Sequence, residues 1–212
     1  MKLKVCGMKY NPLEVAALQP DYLGFIFWQG SSRFFEGAMP PVQPGIQKVG
    51  VFVDAPMNDV LKAMDTYDLD ALQLHGKETP DYCEALRSTT RSVGNVRSII
   101  KVFSIKDQFN FKELTAYEDV CDYFLFDTKG KLPGGNGYTF DWKVLEEYPS
   151  TKPYFLSGGI GLDNVGDIKA FLQRKEARYC HAIDVNSSFE TKAGLKDIKK
   201  LKKFANKLKE LN

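Results

Sequence analysis

Short apolar runs rich in β-branched and aromatic residues recur along this chain. They are KLKVCGM at 2–8, YLGFIFW at 22–28, QKVGVFV at 47–53, ALQLHG at 71–76, SIIKVFSI at 98–105, YFLFDT at 123–128, PYFLSGG at 153–159 and HAIDVNS at 181–187. Each has the length and composition of a strand. Most are separated by segments whose apolar positions fall three and four apart, the period of an amphipathic helix. These are PMNDVLKAMDTY, TPDYCEALRST, FKELTAYEDV, LDNVGDIKAFL and LKDIKKLKKFANKLKEL. In the last, Leu195, Ile198, Leu201, Phe204, Leu208 and Leu211 make one stripe, and the lysines between them read as its solvated side.

Strands alternating with helices predict a parallel sheet, because a parallel neighbour needs a crossover connection. Eight such units in 212 residues predict an α/β fold, a (β/α)8 TIM barrel, as a single domain over residues 1–212. A doubly wound open sheet is the alternative, but it usually has fewer strands, and no GxGxxG follows the first one. One unit is irregular. After the second strand, QGSSRFFEGAMPPVQPGI carries Pro40, Pro41, Pro44, Gly37 and Gly45, which forbid a helix of normal length. A stub or a loop is expected there.

Composition narrows the classes. A formal charge of +2 is too balanced for a nucleic-acid binder, and no apolar run is long enough to span a bilayer. The first residues lack the basic-then-apolar layout of a signal peptide, so a cytoplasmic location is expected. Cys6, Cys83, Cys121 and Cys180 are scattered with no CxxC, which argues against a zinc site or a small disulfide framework. With only His75 and His181 as histidines, a metal-dependent mechanism is not expected, although carboxylates alone can hold magnesium. Nothing in the pattern marks an exposed apolar patch, so monomer is the default.

A barrel of this kind carries its chemistry at the carboxyl ends of its strands. The first strand ends on Cys6-Gly7, and Arg33 follows the second. Gln73, His75 and Gly76 end the fourth, Asp127 the sixth, Ser157-Gly158-Gly159 the seventh, and Asp184, Asn186, Ser187 and Ser188 the eighth. Glycines and small hydroxyl residues after strands seven and eight leave backbone N–H groups unobstructed, which with an adjacent helix N-terminus suits a phosphate. Gly158-Gly159 by itself could equally be a tight turn. Cys6 alone would read as a buried small hydrophobe. Asp127 ending the run YFLF needs a partner to be buried, and a thiol with a carboxyl at one barrel mouth can act as base and acid. Strand alternation sets Lys4 on the face of Cys6, where its cation is expected to lower the thiol pKa. Arg33 is either a solvated loop arginine or a bidentate partner for a carboxylate on a ring. His75 is either an orienting group or a plain strand-end histidine.

In order along the chain, these segments resemble phosphoribosylanthranilate isomerases. KVCGM is similar to that family's KICGIT, and FIFWQGSSR to FxFxxxSPR. VGVFV and LQLHG match its third and fourth strands. FLFDTKGKLPGGNGYTFDW resembles LLD…GGTGxxFDW, FLSGGIGLDNV resembles LAGGLxPxNV, and AIDVNSSFETKAGLKD resembles VDVSSGVExxPGxKD. The resemblance implies a cofactor-free, metal-free isomerase of tryptophan biosynthesis acting on a phosphosugar linked to anthranilate. It implies Asp127 as general acid, Cys6 as general base and Arg33 as the anthranilate carboxylate contact. His75 and Asp184 would touch the substrate, and Gly158, Gly159, Ser187 and Ser188 would hold its phosphate. Four departures bear on affinity rather than reaction type, the weak second helix among them. Ser32 replaces the family's proline, which would leave Arg33 less fixed. Ser188 replaces a glycine, and Gly134-Gly135-Asn136-Gly137 replaces GGTG as a glycine-rich lid. The competing readings are another phosphosugar isomerase, such as the one of histidine biosynthesis, and a phosphate-binding barrel without catalysis. The first would use two aspartates, and the second would not need both Cys6 and Asp127.

Overall fold

All eight apolar runs form strands in the computed structural model, which describes residues 1–92, 97–106, 108–128 and 139–211. β1 (Lys2–Cys6), β2 (Tyr22–Ile26), β3 (Gln47–Phe52), β4 (Ala71–Leu74), β5 (Ser98–Ile105), β6 (Tyr123–Thr128), β7 (Tyr154–Leu156) and β8 (Cys180–Val185) pair in parallel in chain order, and β8 returns to β1 to close a barrel. Helices α1 (Pro12–Ala16), α2 (Met57–Tyr67), α3 (Pro80–Ser92), α4 (Val165–Phe171) and α5 (Ile198–Lys209) lie between and after the strands. A short antiparallel hairpin, β9 (Glu190–Lys192) and β10 (Leu195–Lys196), follows β8.

Strand alternation divides the apolar residues into two layers. Tyr22, Val49, Ala71, Ile100, Val102, Leu125, Phe155 and Ala182 fill the barrel interior. The intervening residues, such as Leu23, Leu72, Ile99, Phe124 and Ile183, pack outward on the helices. The inward series turns polar towards the carboxyl ends. Leu125 gives way to Asp127 on β6, Ala71 to Gln73 and then His75 on β4, and Ala182 to Asp184 and then Asn186 on β8. That change converts a packed core into a site.

The connections differ from simple helices where the sequence resists them. Residues 27–46 form a loop with no helix, as the prolines require. Phe35 anchors it, with its ring 4.9 Å from that of Phe25. The segment FKELTAYEDV, expected as a helix, is a 3-10 helix over Phe111–Tyr117, started by an Asn110 side chain that accepts from Lys112 N. Its Thr115 and Tyr117 are weak helix formers. A second 3-10 helix spans Trp142–Glu147. The α5 stripe buries Leu201, Phe204 and Leu208, and the Asp197 side chain caps its start by accepting from Lys200 N.

One device repeats at the amino ends of the strands. Asp21, Asp70 and Asp122 each stand one residue before an even-numbered strand. Their carboxylates accept from the backbone N–H of Leu3, Lys48 and Ile99, at 2.8, 2.7 and 2.7 Å. Each aspartate's own N–H donates to the carbonyl of the same residue. Strands β1–β2, β3–β4 and β5–β6 are thereby clamped in pairs.

Candidate active site

Cys6 ends β1 and is 5% exposed. One glycine makes room for it. A Cβ on Gly24 of β2 would lie 2.8 Å from the Cys6 sulfur. Gly7 turns the chain with φ +76°, and a Cβ there would lie 2.5 Å from Asn186 Oδ1 and 2.8 Å from Arg33 Cδ. Gly7 therefore clears space for two neighbouring side chains that line the cavity. Lys4, one inward position below Cys6, is fully buried and donates to Asp184 Oδ2 at 2.8 Å. Burial pulls its ammonium down, but Asp184 and Cys6 outweigh that and hold it above its ordinary range. Burial pushes the Cys6 thiol up, and the opposing pull of Lys4 and Lys196 does not cancel it. The sequence-based expectation about Lys4 has the right sign, but burial prevails.

Asp127 lies inward on β6, 4% exposed. Its Oδ1 accepts from Thr128 N at 3.0 Å, and its Oδ2 is 3.4 Å from His75 Nε2. The other ring nitrogen of His75 is 3.1 Å from Gln73 Nε2. His75 thus stands beside the carboxyl rather than as an isolated strand end. Gln73 Oε1 and Asp184 Oδ1 are buried with no partner among the described residues, so two acceptors at this mouth await donors.

Gly158 and Gly159 follow β7 with φ +95° and +65°. A side chain on Gly158 would strike Thr128. Ser188, in the 3-10 turn Ser187–Phe189 after β8, donates from its hydroxyl to the Gly159 carbonyl at 3.0 Å. The serine that replaces the family's glycine therefore stitches the two loops together. Gly134-Gly135-Asn136-Gly137 lies outside the described residues.

Arg33 is not a solvated loop residue. Its Nε donates to both oxygens of Glu190 at 3.0 Å, and its Nη2 to Oε2 at 2.7 Å. The backbone N–H of Arg33 also donates to Ser31 Oγ at 3.1 Å. The guanidinium is pinned by a carboxylate, so the locked φ that Ser32 lacks is not what holds it. One cavity is lined by all nine residues singled out from the sequence: Cys6, Arg33, His75, Asp127, Gly158, Gly159, Asp184, Ser187 and Ser188. Trp28, Ile26 and Val51 add an apolar wall suited to an aromatic ring.

The sequence profile of the family described as N-(5'phosphoribosyl)anthranilate (PRA) isomerase matches residues 4–207 of this chain. The chain belongs to this family. It is 42% identical to an N-(5'-phosphoribosyl)anthranilate isomerase of Parabacteroides distasonis, over 96% of this chain and 91% of that protein. It is 37% identical to one of Phocaeicola vulgatus, over 99% and 98% of the two. Among solved structures, the phosphoribosyl anthranilate isomerase of Thermus thermophilus superposes over the whole of both chains, with TM-score 0.81 and 26% identity.

Membership in the isomerase family agrees with a parallel barrel whose polar residues gather at one mouth. Two charged residues behind the cavity wall, Glu190 and Lys196, carry no signal at the strand tips. They sit at no tip of a barrel strand, but both fall within AIDVNSSFETKAGLKD, the stretch similar to the family's VDVSSGVExxPGxKD. That stretch carried the only signal that could have found them.

Proposed function

We propose that this chain converts N-(5-phosphoribosyl)anthranilate to 1-(2-carboxyphenylamino)-1-deoxyribulose 5-phosphate, the isomerase step in tryptophan biosynthesis. The observation that carries the reading is the convergence of Cys6, Asp127, Arg33 and the two glycine–serine loops on one cavity of a chain in this family.

In this reading Asp127 gives its proton to the furanose ring oxygen. The C1′–O bond breaks, the ring opens, and the anthranilate nitrogen lends its electron pair to C1′, leaving a cationic Schiff base. Asp127 is then a carboxylate, met by Thr128 N–H and by His75. Cys6, as its thiolate, takes the proton from C2′, and the electrons of that C–H bond neutralise the Schiff base as an enolamine. The enolamine tautomerises to the ketone with a proton returned at C1′. Burial works against the thiolate, while Lys4 and Lys196 favour it; the cation formed at C1′ adds to their pull on the sulfur and acidifies C2′. The loops at Gly158-Gly159 and Ser187-Ser188 would hold the phosphate and Arg33 the ring carboxylate, fixing the reacting carbons between acid and base.

The test is a fluorescence assay with substrate generated in place from anthranilate and phosphoribosyl pyrophosphate. Wild-type chain should remove the substrate's emission, while Cys6→Ala and Asp127→Asn should each slow kcat by about 10²–10⁴-fold. Loss no faster than the spontaneous background would sink the reading.

A further inference from the structure

Glu190 and Lys196 stand behind the cavity wall, while Arg33 and Asn186, which they hold, line it. The Glu190 side chain is 4% exposed and its carboxylate is saturated. Oε1 accepts from Arg33 Nε at 3.0 Å, Gly194 N at 3.0 Å and Lys196 Nζ at 2.8 Å. Oε2 accepts from Arg33 Nε at 3.0 Å and Nη2 at 2.7 Å. Burial would raise the Glu190 carboxyl, but Arg33 and Lys196 outweigh it and hold it below its ordinary range. The Lys196 side chain is 0% exposed and also donates to Asn186 Oδ1 at 2.7 Å. Its backbone is fixed from the far side by Asn11, which accepts from Lys196 N and donates to Lys196 O, both at 3.0 Å.

This cluster sets two cations against one carboxylate in a buried place. Uncompensated charge is costly there, and Glu190 has no capacity left. The guanidinium offers its Nε–Nη2 edge to Glu190, and Nη1 has no partner among the described residues. Arginine otherwise spends considerable rotamer entropy on each fixed contact, and the bidentate hold removes that cost before a ligand arrives.

We propose that Glu190 is the positioning residue of the carboxylate subsite, holding the Arg33 guanidinium by its Nε–Nη2 edge so that the other edge meets the substrate's aryl carboxylate. The proposal rests on the isomerase reading. It makes Glu190 a determinant of binding held equally in ground and transition states, so its loss is felt in KM and not in kcat.

The experiment uses two inert competitors, the reduced product (an N-aryl-1-amino-1-deoxypentitol 5-phosphate) with and without its ring carboxyl. Their inhibition constants are measured on the full chain, on Glu190→Gln, on Arg33→Lys and on the double variant. Glu190→Gln should weaken the carboxylated competitor at least about tenfold and its carboxyl-free twin less than about twofold, the mark of one lost charge-assisted contact. KM should rise in step while kcat stays within about twofold. In the Arg33→Lys background, Glu190→Gln should add little, because it acts through the guanidinium. Should Glu190→Gln not fold, Glu190→Asp keeps the charge, draws the guanidinium back and should show the same one-sided loss in smaller measure. Equal weakening of both competitors, or full additivity with Arg33→Lys, overturns the assignment and leaves Glu190 as a tie between loops. A wild-type chain that neither turns the substrate over nor tells the competitors apart overturns the isomerase reading and this assignment with it.

Discussion

The chain's two histidines sit at opposite ends of the barrel, and their surroundings give them different work. His75 follows β4 at the mouth, whereas His181 is the second residue of β8, at the amino end. The His181 Nε2 meets the Tyr22 hydroxyl at 2.7 Å, and its ring lies 4.7 Å from that of Tyr123 and 5.3 Å from that of Phe155. Burial among these rings, then the charge of Lys2, lowers its pKa from 6.5 to about 4. The folded chain thus resists a proton that the unfolded chain accepts. The stability tied to this residue is whole above pH 6.5 and is lost as pH falls from there to about 4. His181→Gln keeps a hydrogen-bonding partner for Tyr22 and removes the titration. Its melting temperature should therefore fall less steeply than wild type across that window and run parallel above it. Parallel curves throughout would show that His181 is not the responsible group.

Among elements, the aspartate clamps separate what packing does from what hydrogen bonding does. Each joins an odd strand to the even strand after it at the end of the barrel away from the site, with the helix or loop unit between. Replacing Asp21 or Asp70 by alanine leaves a strand N–H short of its partner, at a cost of about 1–3 kcal/mol each. The urea midpoint should drop accordingly while the isomerase KM holds, because no clamp residue lines the cavity. A fall in stability confined to one clamp would mean that the three are not equivalent. The same elements show what was legible beforehand. Eight strands could be read because a parallel strand buried on both faces is a dense apolar run, and the missing second helix could be read from its prolines. That the polar residues at the strand tips would meet in one cavity could also be read, because a barrel of this kind gathers its functional side chains at the carboxyl ends of its strands. The 3-10 helix over Phe111–Tyr117 was hidden because its apolar spacing imitates an α-helix, and the β9–β10 hairpin because strands of three and two residues carry no periodicity. Glu190 was hidden because its contact with Arg33 spans 157 residues, a relation that no local pattern encodes.

Across the whole molecule, the Lys4–Asp184 pair joins the two ends of the chain, 180 residues apart, inside the barrel. With side-chain exposures of 0% and 6%, it has little water to fall back on. Lys4→Met alone strands a buried carboxylate and should cost about 3–5 kcal/mol, while Lys4→Met with Asp184→Leu should recover most of it. Calorimetric melts of the single and double variants would decide, and a double variant no more stable than the single would count against the pairing. Lys4 and Asp184 are also direct partners in the β1–β8 register. Sliding β8 by two residues along β1 keeps every side chain on its proper face, so apolar packing alone objects weakly. The slide would set Lys4 opposite Ala182 or Asn186 and leave a dry ammonium without its counterion. The first and last strands of the barrel are therefore matched by charge as well as by packing, and the buried ion pair favours one alignment over its two-residue neighbours.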